Sequence, residues 1–598
     1  MTQEEIRKTY NDLKSGYEKQ LALLKKHQLA VSLLRLLAFA GGGILTAVAF
    51  GHSLISGILL LLVTIVSFLF LVRRSHQYAE KIAVTENLIN INSNEINSLN
   101  GDNTAFDGGT DFIDPDHDFS GDIDLFGQDS LFRYINRTVT GWGRAILAEW
   151  LSDPYSIRNE IHSRQEAIRD LSSRLQWRQQ FMAYGMNKKL DEETIGSLRE
   201  WLKEDEMFLT AGLFRLLSFM LPSATLISLI LVIAGLLPVN LFLLLFIVNL
   251  SLIGVFLKKI NKIHLRVSQK HLLLSSVGHL AGSFEKEEFE SSLMAGIRKK
   301  IWADNDSVVG KIRALERIIQ AFDSRLNLFV GLILNGLFLW DFHCIRRLEE
   351  WRSSAASDLP VWLNLLGVTD ALNSLANYAF NDPDYCYPRI TDGSLVLEAV
   401  KMGHPLLRRG VRIDNDFTIG EGRVVIVTGA NMAGKSTFLR TVAANMILGM
   451  AGAPVCAEKM NLRPAKLFTS MRTTDSLSQN ESYFYAELKR LKVLKERLEK
   501  GDNILFILDE ILKGTNSTDK SMGSKLFLRR VIDAGATGLI ATHDISLGEM
   551  ENEFPLNVVN KCFEIEIDGE KIMFDYILRD GITHKMNAAL LMKQMGIA

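Results

Sequence analysis

The residues Gly429-Ala430-Asn431-Met432-Ala433-Gly434-Lys435-Ser436 fit the pattern G-x-x-x-x-G-K-[ST] without a mismatch. Glycines at that spacing let backbone N–H groups close around phosphate oxygens, and the helix that follows turns its positive dipole end to the same anion. Lys435 would reach the β and γ phosphates, and the Ser436 hydroxyl would carry Mg²⁺. The flanks suit the motif. Arg423 to Thr428 is β-branched and apolar, as a buried parallel strand should be, and Thr437 to Leu448 has helical spacing.

A second chemical centre lies about seventy residues on. The apolar run Gly501 to Leu508 ends in Asp509-Glu510. Asp509 would hold the Mg²⁺ shell and Glu510 would polarise the attacking water. Another apolar strand, Thr537 to Ala541, leads into Thr542-His543-Asp544, which puts His543 where it can sense a γ-phosphate. The cofactors implied are ATP and Mg²⁺. The four cysteines, Cys344, Cys386, Cys456 and Cys562, form no C-x-x-C pair and no metal spacing, so they read as reduced packing thiols. A net charge of −2 gives no overall basic field that would draw the chain to nucleic acid.

The elements that must carry this centre are unusually apolar, at 47% hydrophobic residues, and the excess is concentrated in two pairs of runs. Leu29 to Phe50 and Leu54 to Val72 are separated by Gly51-His52-Ser53; Leu216 to Leu237 and Val239 to Leu257 are joined at Pro238. Each run is about twenty residues, enough to cross a bilayer core. Lys25, Lys26, Arg73 and Arg74 flank the first pair, while Arg215, Lys258, Lys259 and Lys262 flank the second; neither turn carries Lys or Arg. The positive-inside bias places all of these ends in the cytoplasm. Leu326 to Trp340 is also apolar but only about fifteen residues long, and holds Asn327 and Asn335; its length predicts a buried core helix. Gly101 to Ser130 is rich in Asp and Gly without the spacing of a calcium loop, which predicts a solvated linker ending in a docking segment. No signal peptide is expected, since a charged helical segment precedes Leu29.

The motif neighbourhoods resemble the MutS family of DNA mismatch-repair ATPases. Thr428 to Thr437, with Asn431 and Met432, looks like that family's phosphate loop; Leu508 to Asp519 is similar to its Walker B strand and following loop; Ala541 to Asp544 matches its histidine switch. Glu481 to Glu487 looks like the segment that reaches into a partner's site, with Ser482 at the matching serine. His404-Pro405 and Asn415-Asp416 look like landmarks before the loop, Asn136-Arg137, Thr140, Gly143, Trp150-Leu151, Pro154, Ile161 and Arg164 fit the start of the core domain, and Gly581 to Ala598 resembles the closing segment. The resemblance implies a dimer sharing two nucleotide sites. It departs in three respects: a membrane hairpin stands where a Phe-x-Glu mismatch-reading domain is usual, the second hairpin interrupts the core, and Leu512-Lys513 replace the usual Gly-Arg.

The expected fold is mixed. An N-terminal cytoplasmic helix (1–28) precedes a transmembrane hairpin (29–74), then a helix and acidic linker (75–130). A helical MutS-like core (131–207 and 258–385) is split by a second hairpin (208–257), and 386–598 forms an α/β P-loop ATPase domain of ABC/MutS type. The expected function is a membrane-anchored, dimeric ATPase of the inner membrane with four crossings. The cofactor-binding set is Gly429, Ala430, Asn431, Met432, Ala433, Gly434, Lys435, Ser436, Thr437 and Ser482; the catalytic set is Lys435, Glu510 and His543; the metal set is Ser436 and Asp509. DNA or a DNA-repair partner is the first candidate for what the ATPase acts on. A nucleotide-switched membrane scaffold without a DNA role is the second, and a transporter fits least, because no LSGGQ-type signature and no charge deep in the spans is present.

Overall fold

The structure is a computed structural model, and it describes residues 2–186, 196, 200–201, 212–302, 307–355, 357–472, 483–568 and 571–583. Helices α1 (Gln3–His52) and α2 (Leu54–Leu99) form one long antiparallel hairpin, turned at an extended Ser53 whose hydroxyl accepts from Ser56 N. At 1.5 Å per residue each arm is roughly 70 Å long, so it contains both an apolar outer half and a base. In the outer half only 6% of the apolar window is buried. The base is packed: Ile6 and Tyr10 are buried, and the Tyr10 hydroxyl donates to Asn381 Oδ1 at 2.8 Å. Residues 1–28 are thus docked at their start.

Between them α3 (Gly141–Ser152), α4 (Leu175–Gly185) and the long α10 (Leu359–Asn381, labelled with its predecessors below) build the helical body. A buried Arg137–Glu95 ion pair ties α2 to this body, and Asn381 Nδ2 donates to the same carboxylate at 2.8 Å. The second apolar hairpin is α5 (Gly212–Ile233) and α6 (Val239–Gly282), with Pro222 inside α5. Among the described residues, four helices are long and apolar enough to cross a membrane. Helices α7 (Val308–Asp323), α8 (Leu328–Phe338) and α9 (Trp340–Ala355) then lead to α10.

One expectation needs correction. The run 326–340 is not a buried core helix: α8 covers Gly331, Asn335 and Gly336 but leaves Leu328 and Phe329 exposed at 70% and 76%. Its buried positions are the small and polar ones, so composition alone pointed the wrong way. The Asp-rich segment 101–130 is mostly exposed as far as Asp118 and then docks, a solvated linker ending in a docking segment as expected. Phe119, Ile123 and Leu125 are buried, and Asp122 accepts from Thr469 Oγ1 (2.6 Å), Met471 N (3.1 Å) and Arg472 N (2.8 Å). A carboxylate taking three donors is a docking anchor, and those donors lie about 350 residues away in the chain, where no spacing could name them.

The described residues of the C-terminal domain form two sheets. Strands β1 (Arg389–Ile390), β2 (Leu395–Met402), β3 (Asn415–Gly420) and β5 (Lys459–Leu462) make a four-stranded sheet in the order β1-β5-β2-β3. The larger sheet takes β4 (Val424–Gly429), β6 (Lys466–Ser470), β7 (Ile504–Asp509), β8 (Thr537–Thr542), β9 (Val558–Asp568) and β10 (Lys571–Asp580) in the order β10-β9-β4-β8-β7-β6. All its pairings are parallel except β10 on β9. Strand β4 is buried at every residue, which is why it reads as an unbroken apolar run and not as an alternating one. Helices α11 (Lys435–Met450), α12 (Tyr483–Glu499) and α13 (Ser517–Asp533) follow β4, precede β7 and follow β7. The Asp-rich segment runs along the β6 edge, where Thr469 N donates to Asp118 O at 2.9 Å and covers it.

Candidate nucleotide site

Strands β4, β8 and β7 lie side by side and parallel, with Thr428 opposite Thr542 and Asp509 opposite Ala541. Their carboxyl ends therefore release the phosphate loop, the histidine turn and the acidic pair into one crevice, the usual place for a ligand on such a sheet. The first loop closes on Gly434, whose φ of +104° and N-cap position let α11 begin at Lys435. Ala430 and Ala433 are buried in the loop's base, Asn431 and Met432 form its exposed tip, and Thr437 lies in the first turn of α11. Met432, Glu510 and Leu512 all carry positive φ, so backbone strain is gathered around this crevice.

Lys435 is buried, and its Nζ donates to the carbonyls of Gly429 (2.8 Å) and Ala430 (2.9 Å) and lies 3.3 Å from His543 Nε2. Burial pulls its pKa down to about 8, against the opposing pull of Asp509 and Glu510. Burial, and then the neighbouring Lys435 charge, lowers the His543 pKa too, so its ring is neutral at pH 7. The Ser436 hydroxyl donates to Asp509 Oδ2 at 2.5 Å, which joins the two expected metal ligands across 73 residues of chain. These residues fit a magnesium polyphosphate: a buried cation has only carbonyls and an imidazole around it, and a hydroxyl and a carboxylate stand together as hard oxygen ligands. Of the sequence-derived set, Lys435, Ser436, Asp509, Glu510 and His543 are brought together. Ser482 lies outside the described residues.

Three contacts were not anticipated. Lys520, on α13, places Nζ 2.8 Å from Glu510 Oε1. Burial works against the Glu510 charge, but Lys520, His543 and Lys513 outweigh it and hold the carboxyl below its usual range. Glu487, on α12, accepts from Leu512 N (2.5 Å) and Lys513 N (3.1 Å), tying the helix after Ser482 to the loop after Glu510. Tyr576, on β10, sits over Gly434, where a Cβ would lie 3.0 Å from the ring, and its carbonyl accepts from Asn415 Nδ2 at 3.0 Å. No spacing rule marks a lone Lys or Tyr, so only Glu487 and Asn415 carried a signal, through the resemblance.

Comparison with known proteins agrees with this geometry. The family model "MutS domain V" matches residues 425–595 and "MutS domain III" matches 116–218. The chain is thus similar to the MutS family over two of that family's domains. The DNA mismatch repair protein MutS of Thermotoga neapolitana is 31% identical over 222 residues, which is 36% of this chain and 27% of that protein. MutS protein homolog 4 of Homo sapiens is 32% identical over 238 residues, 38% of this chain and 24% of the relative. DNA mismatch repair protein MSH3 of Phaeosphaeria nodorum is 33% identical over 262 residues, 42% of this chain and 23% of the relative. The match thus spans about a quarter of the curated relatives' own length. The domain III match begins at residue 116, which brings the docked residues from Phe119 to Leu125 within it.

Proposed function

We propose that this MutS-like chain is a membrane-anchored ATPase that binds MgATP at the β4–β8–β7 crevice and hydrolyses it as a dimer. The observation that carries it is the meeting of Lys435, Ser436, Asp509, Glu510 and His543 at one sheet edge. Bound MgATP would supply the electrophilic phosphorus and the divalent charge. Lys435 would hold the β and γ phosphates, Ser436 and Asp509 the magnesium, and Asn431 to Gly434 the phosphate oxygens through backbone N–H groups. Glu510 would orient and deprotonate the attacking water once its carboxylate is released from Lys520. Neutral His543 would report the γ-phosphate through its contact with Lys435.

The membrane part of this reading rests on the four long apolar helices, two of them only 6% buried, and on the Lys/Arg flanks that put both hairpin bases on the cytoplasmic side. It implies a multi-pass protein of the inner membrane with the ATPase inside. Similarity to DNA mismatch repair proteins favours a DNA or DNA-repair partner over a scaffold without one. The test is ATP binding and turnover by purified protein in lipid nanodiscs. Lys435→Ala should bind no nucleotide, and Glu510→Gln should bind ATP but hydrolyse it about 10²–10⁴ more slowly. Normal turnover by the Glu510 variant would remove it as the base. A salt-dependent affinity for duplex DNA, measured on the same sample, decides between the DNA-linked and scaffold readings.

A further inference from the structure

Helix α8 stands at the wrong depth for a soluble helix. Asn249 of α6 donates to Thr225 Oγ1 (3.0 Å) and to the carbonyl of Gly336 (2.8 Å), and the Phe246 ring fills the space where a Gly336 side chain would be. Asn249 lies nine residues, and Phe246 twelve, before Lys258, the first charge after the apolar run. At 1.5 Å per residue, Gly336 therefore sits about 14–18 Å beyond the level of Lys258, near the middle of a slab about 30 Å thick.

The chain on either side of α8 lies at the other level. Before it, Asp323 Oδ1 is 2.7 Å from His264 Nε2, six residues past Lys258. After it, Phe342 packs on Phe256 with ring centroids 5.9 Å apart. Helices α7 and α9 run antiparallel, since Trp340 Nε1 donates to Ala321 O and Trp351 Nε1 to Lys311 O, each at 2.7 Å. Arg325 Nε and Asp341 Oδ2 meet at 3.0 Å and close the base of the excursion. The segment leaves from the Lys258 side and returns to it, bent by 80° between α8 and α9 at Leu339, whose φ is +47°.

We infer that Leu328–Phe338 is a re-entrant half-helix whose uncovered face lies in the hydrocarbon of a lipid bilayer; this rests on the membrane reading of the α5–α6 hairpin. Its face is continuous with the exposed apolar surface of that hairpin and shows Leu328, Phe329, Leu332 and Ile333. Residues 326–340 hold no Asp, Glu, Lys or Arg. With 11 residues the helix is roughly 16 Å long, about half a crossing. Three of its polar groups have partners in the protein, as hydrocarbon favours: Asn327 Oδ1 accepts from Val330 N, Asn335 Oδ1 from Asp341 N, and the Gly336 carbonyl from Asn249.

The test uses wild-type protein in phosphatidylcholine vesicles that contain a phosphatidylcholine with a mid-chain diazirine, with glutathione in the water as scavenger. After irradiation, labelled peptides are mapped by mass spectrometry. Peptides covering 326–338 should be labelled within about threefold of those covering 239–257, because both meet the same acyl chains, while 141–152 stays unlabelled. Labelled hairpins with an unlabelled 326–338 would overturn the half-helix and leave the membrane reading standing, as a second copy or another protein covering α8 would produce. Unlabelled hairpins would overturn both.

Discussion

The ammonium of Lys520 lies 2.8 Å from Glu510 Oε1, so the expected general base is held in an ion pair by a helix that starts after its own loop. Both side chains are partly buried, and the pair lowers the proton affinity that a base needs.

Replacing Lys520 by Met should free that carboxylate. The acid limb of the pH–rate profile should move to higher pH, and basal ATP turnover should rise by up to about fivefold, the scale of one partly exposed ion pair. Steady-state hydrolysis across pH 5–9 checks this. An acid limb that stays in place would show that Lys520 does not touch the working state of Glu510.

Lys435 sets a second pH dependence. Its pKa in the free site is about 8, and phosphate contact would raise it. Between these two values binding must take up a proton, so ATP affinity should be nearly flat below pH 8 and fall up to about tenfold per pH unit above it. Calorimetric titrations at pH 9 in buffers of different ionisation enthalpy should show close to one proton taken up. No uptake would place the lysine charge elsewhere.

Asp122 anchors the Asp-rich segment on the strand that ends in Ser470. Asp122→Ala would strand the Thr469 hydroxyl and the Met471 and Arg472 amides, at about 1–3 kcal/mol. The melting temperature should fall, and limited proteolysis should open the chain between 101 and 130. Asp122→Asn, which keeps one acceptor, should lose less. Unchanged proteolysis in the alanine variant would mean that the surrounding apolar contacts hold the segment without it.

The shared-site reading makes a mixing prediction. Lys435→Ala chains and Ser482→Ala chains should each be inactive alone. Exchanged dimers should regain roughly a quarter of wild-type turnover, because a two-fold dimer of one chain of each kind keeps one intact composite site. If exchange is shown and no activity returns, each chain completes its own site.

The sequence by itself determined the phosphate-loop motif and the apolar hairpins. Both are local: a phosphate loop needs its glycines, lysine and serine within eight residues, and a span needs only an unbroken apolar stretch. It also marked the strands that end in Asp509 and before His543, since buried parallel strands are apolar throughout. Tertiary structure alone decided which distant residues met. The Lys520–Glu510 pair, the Glu487 clasp on the Leu512 loop and the docking of Asp122 depend on side-chain directions that no spacing encodes. The depth of α8 is the sharpest case. Its apolar composition suits a core or a bilayer equally, and only the contacts of Gly336 with Phe246 and Asn249, set against those of Phe342 and Asp323 lower on α6, tell the two apart.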